Sequence, residues 1–309
     1  AGRRIGRAVF PSPEKDPGGY LAGAYSLPES LAGRWVARLG GLAGALPVAA
    51  QAAARAPLLV RPNTLKGSVE EILAALRAEG AQAQRHADGR CIVLEGVPNV
   101  QQMAALKAGL IQPQDATAAA VAPACGAKGG MNVPDFCAAP GTKTTHLAEL
   151  MANRGRIVAL DVSAEKLSRI EDSCRRMGIS IVTTMLAENV AQLPEASFDV
   201  ALVDAPCSNT GVLARRAEAR WRCVEKSFSA LAADQQILAS LAGRYVRSGG
   251  RLVYSTCSIE PEECGDLARA LARKNPRLKL VRDELTLPGG ADEPLRWRDG
   301  GYTAIFDVR

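Results

Sequence analysis

From about residue 125 onward, short apolar runs alternate with longer stretches whose apolar positions recur at helical spacing. The runs at 131–136, 156–161, 179–184, 198–203 and 250–255 read as buried strands, and 302–308 reads as an antiparallel edge strand. Between them, 143–153, 163–177, 228–247 and 261–274 read as helices. Such alternation predicts an α/β domain over 125–309, a doubly wound and mostly parallel sheet with helices on both faces.

The pattern upstream is different. Residues 1–56 are punctuated by Pro and Gly and then rich in Ala; a helix entry is expected over Tyr25–Leu31, and 39–56 reads as surface helices with breaks. Residues 57–124 read as a smaller α+β subdomain. It would hold a strand at 58–61, a helix at 69–77 capped by Ser68, a strand at 91–94 and a helix at 100–108, with 114–122 starting the bridge into the larger domain.

The chain has 309 residues, 47% hydrophobic and 23% charged, which is ample for two globular units. No apolar stretch is long enough to span a bilayer, so no membrane partner is expected. The first residues lead into no apolar signal core, and a start at Ala1 reads as a processed or trimmed chain with room for an upstream domain. The eight cysteines contain no C-x-x-C pair, which disfavours a disulfide framework and a zinc site. A monomer with reduced thiols in the cytoplasm is expected. A net charge of +6 carried mostly by arginine leans modestly towards a polyanionic partner.

The strand over 131–136 runs into Cys137, Ala138, Ala139, Pro140, Gly141, Thr142 and Lys143, where a helix begins. Small residues let backbone approach a ligand, and the helix N-terminus favours an anionic group. Neither G-x-G-x-x-G nor the phosphate-loop pattern fits this turn, which argues against a nicotinamide dehydrogenase and an NTPase. The next strand ends in Asp161, about 20 residues beyond the turn, where an acid binds ribose hydroxyls. Helix capping is the competing role for such an Asp, and Ser163 competes for it. An adenosyl group plus a carboxylate describes S-adenosylmethionine. His86 and His146 read as incidental, His146 as solvated or capping.

Two cysteines, Cys207 and Cys257, follow apolar runs at strand ends beside this turn. A methyl sulfonium needs a nucleophilic acceptor, and carbon 5 of cytosine becomes one when a thiolate adds to carbon 6. A carboxyl such as Asp204, three residues before Cys207, can assist at ring nitrogen 3. Either cysteine could instead be a small buried filler, but their setting beside Pro206, Thr256 and the cofactor turn favours chemistry. Cys91, Cys125, Cys174, Cys223 and Cys264 read as structural. Arg215, Arg216, Arg220, Trp221 and Arg222 form a segment suited to RNA through phosphate contact and stacking, with a solvated helix as the plain alternative.

DFCAAPGTKTTHLAEL at 135–150, VDAPCSNTGVLARRAEARWR at 203–222 and LVYSTCSIEPEE at 252–263 resemble the RNA cytosine-carbon-5 methyltransferases of the Nol/Nop/Sun superfamily, on the bacterial ribosomal RNA branch. Upstream, YLAGAYSLPESLAGRW, LVRPNTLKGS and GLIQPQDATA resemble that family's RNA-contacting subdomain. The resemblance implies a Rossmann-like, class I S-adenosylmethionine-dependent catalytic domain. It also implies Cys257 as nucleophile and Cys207 as its aid in elimination. Residues 137–143 and Asp161 would hold the cofactor, Asp204 would contact cofactor or cytosine, and Lys143 would lie near both. Where the family has an acid close to adenine, this chain has Ala187 with Glu188 beside it; Ala217 replaces a Pro and Cys264 an Asn. Ribosomal RNA is the substrate the resemblance implies, with transfer RNA as an alternative. A non-catalytic RNA-binding or ribosome-assembly factor on the same scaffold is the competing class.

Overall fold

The computed structural model describes residues 10–223 and 225–309, without the side chains of Glu225 and Lys226. The reading of the first residues as no signal sequence lies outside the described residues. Three helices come first: α1 (Pro17–Tyr25), α2 (Glu29–Arg38) and α3 (Leu42–Ala53). The break expected in the Ala-rich stretch falls at Gly40 and Gly41, both at positive φ. The surface placement was wrong, however, because α3 buries Ala45, Val48, Ala49 and Ala52. Small side chains let its backbone pack closely with Leu21, Leu31 and Trp35 of α1 and α2.

A four-stranded sheet follows, built from β1 (Leu58–Pro62), β2 (Gln82–Arg85), β3 (Ile92–Glu95) and β4 (Ile111–Pro113) in the order β2-β3-β1-β4. Its helices are α4 (Val69–Ala78), with a Ser68–Glu71 capping box at its start, and the short α5 (Ala104–Lys107). The helix expected over 100–108 is instead a 3-10 turn at Val100–Gln102 followed by α5. Period-2 alternation splits β1 between two cores. Val60 faces α4, while Leu59 joins Ala116, Ala119 and Trp297 at the joint with the larger sheet.

The remaining elements are α6 (Ala116–Cys125), β5 (Asn132–Phe136), α7 (Thr142–Leu150), β6 (Arg156–Asp161), α8 (Ala164–Met177), β7 (Val182–Leu186), β8 (Phe198–Asp204), α9 (Glu225–Tyr245), β9 (Val246–Thr256), α10 (Gly265–Lys274), β10 (Leu278–Thr286) and β11 (Gly301–Val308). Their sheet has the order β10-β11-β9-β8-β5-β6-β7. Strands β5 to β9 pair in parallel, while β10 and β11 are antiparallel. This is the doubly wound class expected. Strand β10 was not expected because the alternation of Leu278, Lys279 and Leu280 stops at Val281, and the residues from there to Leu285 are exposed. The third parallel strand lies later than expected, at 182–186 rather than 179–184.

Helices cover both faces of the sheet. One core joins Leu160, Val203, Leu252 and Tyr254 to Ala242 and Tyr245 of α9 and Leu267 and Leu271 of α10. The other joins Val133, Ile157, Leu202 and Val253 to α6, α7 and α8. In α8, Leu167, Ile170, Cys174 and Met177 are buried at helical spacing. The chain runs outward through β5, β6 and β7 and then returns to β8 on the other side of β5. A sheet of this type opens a ligand crevice there, at the carboxyl ends of the strands where the order reverses.

Candidate active site

The β5–α7 turn is shaped by two residues at positive φ, Cys137 at 58° and Gly141 at 94°. Any Cβ on Gly141 would stand 3.2 Å from the side chain of Ile170 in α8, so turn and helix meet at backbone distance. Asp161, at the end of β6, accepts the Ala139 N–H at 3.1 Å and the Val162 N–H at 2.8 Å. Ser163 occupies the N-cap position of α8 without a side-chain hydrogen bond, so the capping competitor of Asp161 makes no cap.

These groups line a cavity of about 380 Å³ whose walls include Cys137, Ala139, Asp161, Asp204, Cys207 and Cys257. Cys137 and Ala139 bring the small-residue turn to its lining, which they share with Asp161, Lys166 and the apolar side chains of Val162 and Val190. This donor set fits an adenosyl ligand that carries a carboxylate. Exposed, apolar Val162 projects into this space and was missed from sequence. Glu188 corrects an expectation: it points to solvent and is not on the wall, where the 3-10 turn presents Ala187 and Val190 instead.

Both cysteines lie on the crevice. Parallel pairing sets Asp204 opposite Ser255, so the loops after β8 and β9 leave the sheet side by side. Cys207 Sγ and Cys257 Sγ are 2.8 Å apart. Asn209 braces the pair: its Nδ2 donates to the Cys207 carbonyl at 2.8 Å, and its Oδ1 accepts from the Cys257 thiol at 3.3 Å. Asn209 was also missed; its left-handed φ of 63° is a conformation Asn tolerates well. The hydrogen bond with Cys257, followed by burial and the nearby Cys257 and Glu263 charges, raises the Cys207 thiol well above its ordinary range.

Lys143, in the first turn of α7, donates to Asp204 Oδ2 at 2.6 Å. Burial opposes its charge, but the Asp204 carboxylate outweighs that and holds the ammonium above its usual pKa. Beneath it lies Asp135, fully buried, with one oxygen bonded by Thr144 and the other without a partner. Burial lifts the Asp135 carboxyl to about 7, with Thr144 opposing and the Asp204 carboxylate adding to the rise.

A polar tie sits under the two thiol loops. Glu263 is fully buried and accepts the Ser208 N–H at 2.9 Å, the Ser258 hydroxyl at 2.7 Å and Gln235 Nε2 at 2.9 Å. One carboxylate thereby binds the Cys207 loop, the Cys257 loop and α9. Arg61 of β1 is buried too. It donates to the Thr142 carbonyl at 3.0 Å and to Thr145 at 3.2 Å and pairs with Glu149, which joins the small sheet to the cofactor helix.

The arginine segment departs most from expectation. Arg220 is buried and donates to the carbonyls of Tyr25, Ser26 and Ala52 at 2.8–3.1 Å, so its guanidinium clamps the N-terminal helices and is not offered to RNA. Arg215 is held by Asp299 and Asp115. Arg216 is exposed at the cavity, Trp221 is 64% exposed, and Arg222 pairs with Glu218 on the surface. His146 is a further correction, being neither solvated nor capping. It is buried, and burial, then Arg61 and Arg90, lower its pKa to about 2, so the ring is neutral. The five cysteines read as structural are all buried.

Among the described residues no helix is long and apolar enough to cross a membrane, and no cluster of ligating side chains suits a metal. Residues 126–293 match the family model for 16S rRNA methyltransferase RsmB/F, and 27–101 match that for the RsmF/B-like methyltransferase ferredoxin-like domain. A ribosomal RNA small subunit methyltransferase B of Erwinia tasmaniensis is 33% identical over 245 residues, 76% of this chain and 56% of the relative. The chain spans about half the length of the curated relatives it matches. The crystal structure of PH0851 superposes with a TM-score of 0.86 at 31% identity, covering 96% of this chain and 69% of that one. A methyltransferase homolog protein from Pyrococcus horikoshii gives 0.78 at 25% identity, covering 96% and 100%.

Proposed function

The chain belongs to the 16S rRNA methyltransferase RsmB/F family, and from that premise we propose that it makes 5-methylcytosine in ribosomal RNA through a covalent thiol adduct. The observation that carries this reading is the pair of thiols, 2.8 Å apart, on the wall of the cofactor cavity. Methyl transfer to nitrogen or oxygen requires no thiol, whereas carbon 5 of cytosine requires one.

The cofactor is S-adenosylmethionine, and the turn 137–143, Asp161 and Val162 would hold it. When bound it supplies an electrophilic methyl group. The chain's own residues make the acceptor. Cys257 as thiolate adds to carbon 6 of cytosine, and the ring electrons move to carbon 5, which takes the methyl group. The Lys143–Asp204 pair would serve ring nitrogen 3 during addition, the ammonium passing a proton through the Asp204 carboxyl to the nitrogen as negative charge develops there. The carbon 5 proton then passes to solvent water, its bonding electrons re-form the carbon 5–carbon 6 double bond, and the carbon 6–sulfur bond breaks as the thiolate leaves. Cys207 is the partner in that second half. Its raised pKa keeps it protonated at neutral pH beside Cys257, so it stabilises the departing thiolate by hydrogen bonding. Subdomain 57–124 is read as the RNA-contacting part beside catalytic domain 125–309, and the reaction would take place in the cytoplasm.

Transfer from labelled S-adenosylmethionine to unmodified ribosomal RNA tests the reading, with wild type, Cys257→Ala and Cys207→Ala in parallel. Wild type should label cytosine carbon 5 and Cys257→Ala should be inactive with cofactor affinity retained. Turnover by Cys257→Ala at the wild-type rate would remove it as nucleophile.

A further inference from the structure

The sequence assigned RNA contact to residues 215–222, yet Arg220 is spent inside the fold and Arg215 is held by two acids. A larger group of arginines gathers elsewhere on the fold. A groove of about 1110 Å³ lies between α6, the turn after β2, the β10–β11 sheet edge and the loop before β11. Five arginines line it, Arg90, Arg251, Arg282, Arg296 and Arg298, against only two acids, Asp88 and Glu284. They come from the small subdomain, from β9, from β10 and from the loop before β11, so the fold gathers them from distant parts of the chain.

We infer that this groove carries the single-stranded RNA flanking the target cytosine, an inference that rests on the RNA substrate proposed above. Three observations support it. First, the arginines are held weakly. Arg282 meets Glu284 at 2.8 Å, Arg296 meets Glu293 at 3.4 Å and Arg251 meets Asp307 at 3.5 Å, all on the surface, while Arg298 donates to the Leu287 carbonyl at 3.2 Å. Exposed pairs of this kind contribute little and exchange readily for phosphate. Second, the groove comes close to the backbone of the Cys257 loop, while the thiols themselves face the neighbouring cofactor cavity. Gly301 is part of its lining, and a Cβ there would stand 3.0 Å from the Thr256 carbonyl and 3.9 Å from Cys257 Cα. A strand leaving the groove at Gly301 is therefore one backbone away from the nucleophile's loop. Third, α6 presents only Ala116, Ala120, Pro123 and Ala124 there, apart from Thr117, so sugars and base edges can lie against the helix while the arginines on the rim meet the phosphates. Recognition would then be sequence-tolerant and salt-dependent, because phosphate contacts carry most of it.

The test uses the full chain carrying Arg251→Glu, Arg282→Glu and Arg298→Glu together, none of them in the cofactor or thiol site. Its affinity for a short unstructured RNA is measured by fluorescence anisotropy across a salt series, and S-adenosylmethionine binding by calorimetry. Affinity should fall at least about tenfold, and the plot of log K against log salt should flatten by about 2, from about 0.7 per lost phosphate contact on a single strand. Cofactor affinity should be unchanged, and methyl transfer should show a raised KM for RNA with kcat retained. Arg282→Glu and Arg298→Glu made singly repeat the measurement should the triple variant lose cofactor binding, each with about a third of the effect. Wild-type RNA affinity and salt slope in the variants would overturn the assignment and leave the groove to a protein partner, while the RNA reading stands. A wild-type chain that neither binds nor methylates RNA would overturn both.

Discussion

Cys207 and Cys257 are 50 positions apart in the chain, and their sulfurs are 2.8 Å apart in the fold. Parallel pairing of β8 with β9 brings their loops together, and Asn209 bonds to both residues. A protonated Cys207 beside the leaving Cys257 implies that the second half of the reaction depends on Cys207. Cys207→Ala should therefore trap an RNA–protein adduct that survives denaturing electrophoresis, and Cys257→Ala should not. A Cys207→Ala enzyme that turns over freely without adduct would assign elimination to another group.

Glu263 determines where those thiols stand, because it accepts from both loops and from α9. Glu263→Gln keeps the shape but sets an amide N–H₂ against one of three donors. A buried mismatch of this kind costs about 1–3 kcal/mol. Urea unfolding should show that loss, and kcat should fall by more than cofactor affinity does. A stable variant with wild-type kcat would reduce Glu263 to an ordinary buried acid.

Gly141 is needed at the turn on two counts, its φ of 94° and the 3.2 Å approach to Ile170. Gly141→Ala should weaken S-adenosylmethionine binding and cost about 1–3 kcal/mol in stability through backbone strain. Calorimetry and thermal melting check the two effects separately, and unchanged values in both would show that the turn adapts.

Asp135 gives a pH signature. Its carboxyl titrates near 3.8 when unfolded and at about 7 in the fold, so the folded chain binds the extra proton between those values. Its contribution to stability is full below about pH 4 and is lost as pH rises to about 7. The stability difference between wild type and Asp135→Asn should therefore move against wild type from pH 5 to pH 8, read from urea midpoints. Parallel curves over that range would mean that Asp135 keeps one protonation state.

Arg220→Ala should behave as a structural variant. It removes three hydrogen bonds to the carbonyls of Tyr25, Ser26 and Ala52, a loss on the order of 2–4 kcal/mol. RNA affinity, measured at a temperature where the variant is folded, should stay near wild type. A selective loss of RNA binding without loss of stability would return Arg220 to the RNA surface.

What the sequence determined by itself was whatever is local or periodic. Strand–helix alternation set the parallel sheet, because buried strands and amphipathic helices carry their burial in their spacing. The turn at 137–143 and the cysteines at 207 and 257 were legible because ligand-facing strand ends in such a sheet follow directly from where each apolar run stops. Tertiary structure decided what depends on neighbours far along the chain. Arg220 reads as a surface cation until carbonyls from α1 and α3 close around it, and Glu188 reads as a cofactor acid until the 3-10 turn faces it to solvent. His146 looked soluble until it was packed away as a neutral ring. Strand β10, anchored in the core only through Leu278 and Leu280, takes its extent from the backbone partner that β11 offers. The arginine groove has no motif at all, since residues 90, 251, 282, 296 and 298 share a surface only after two sheets and a loop have packed together.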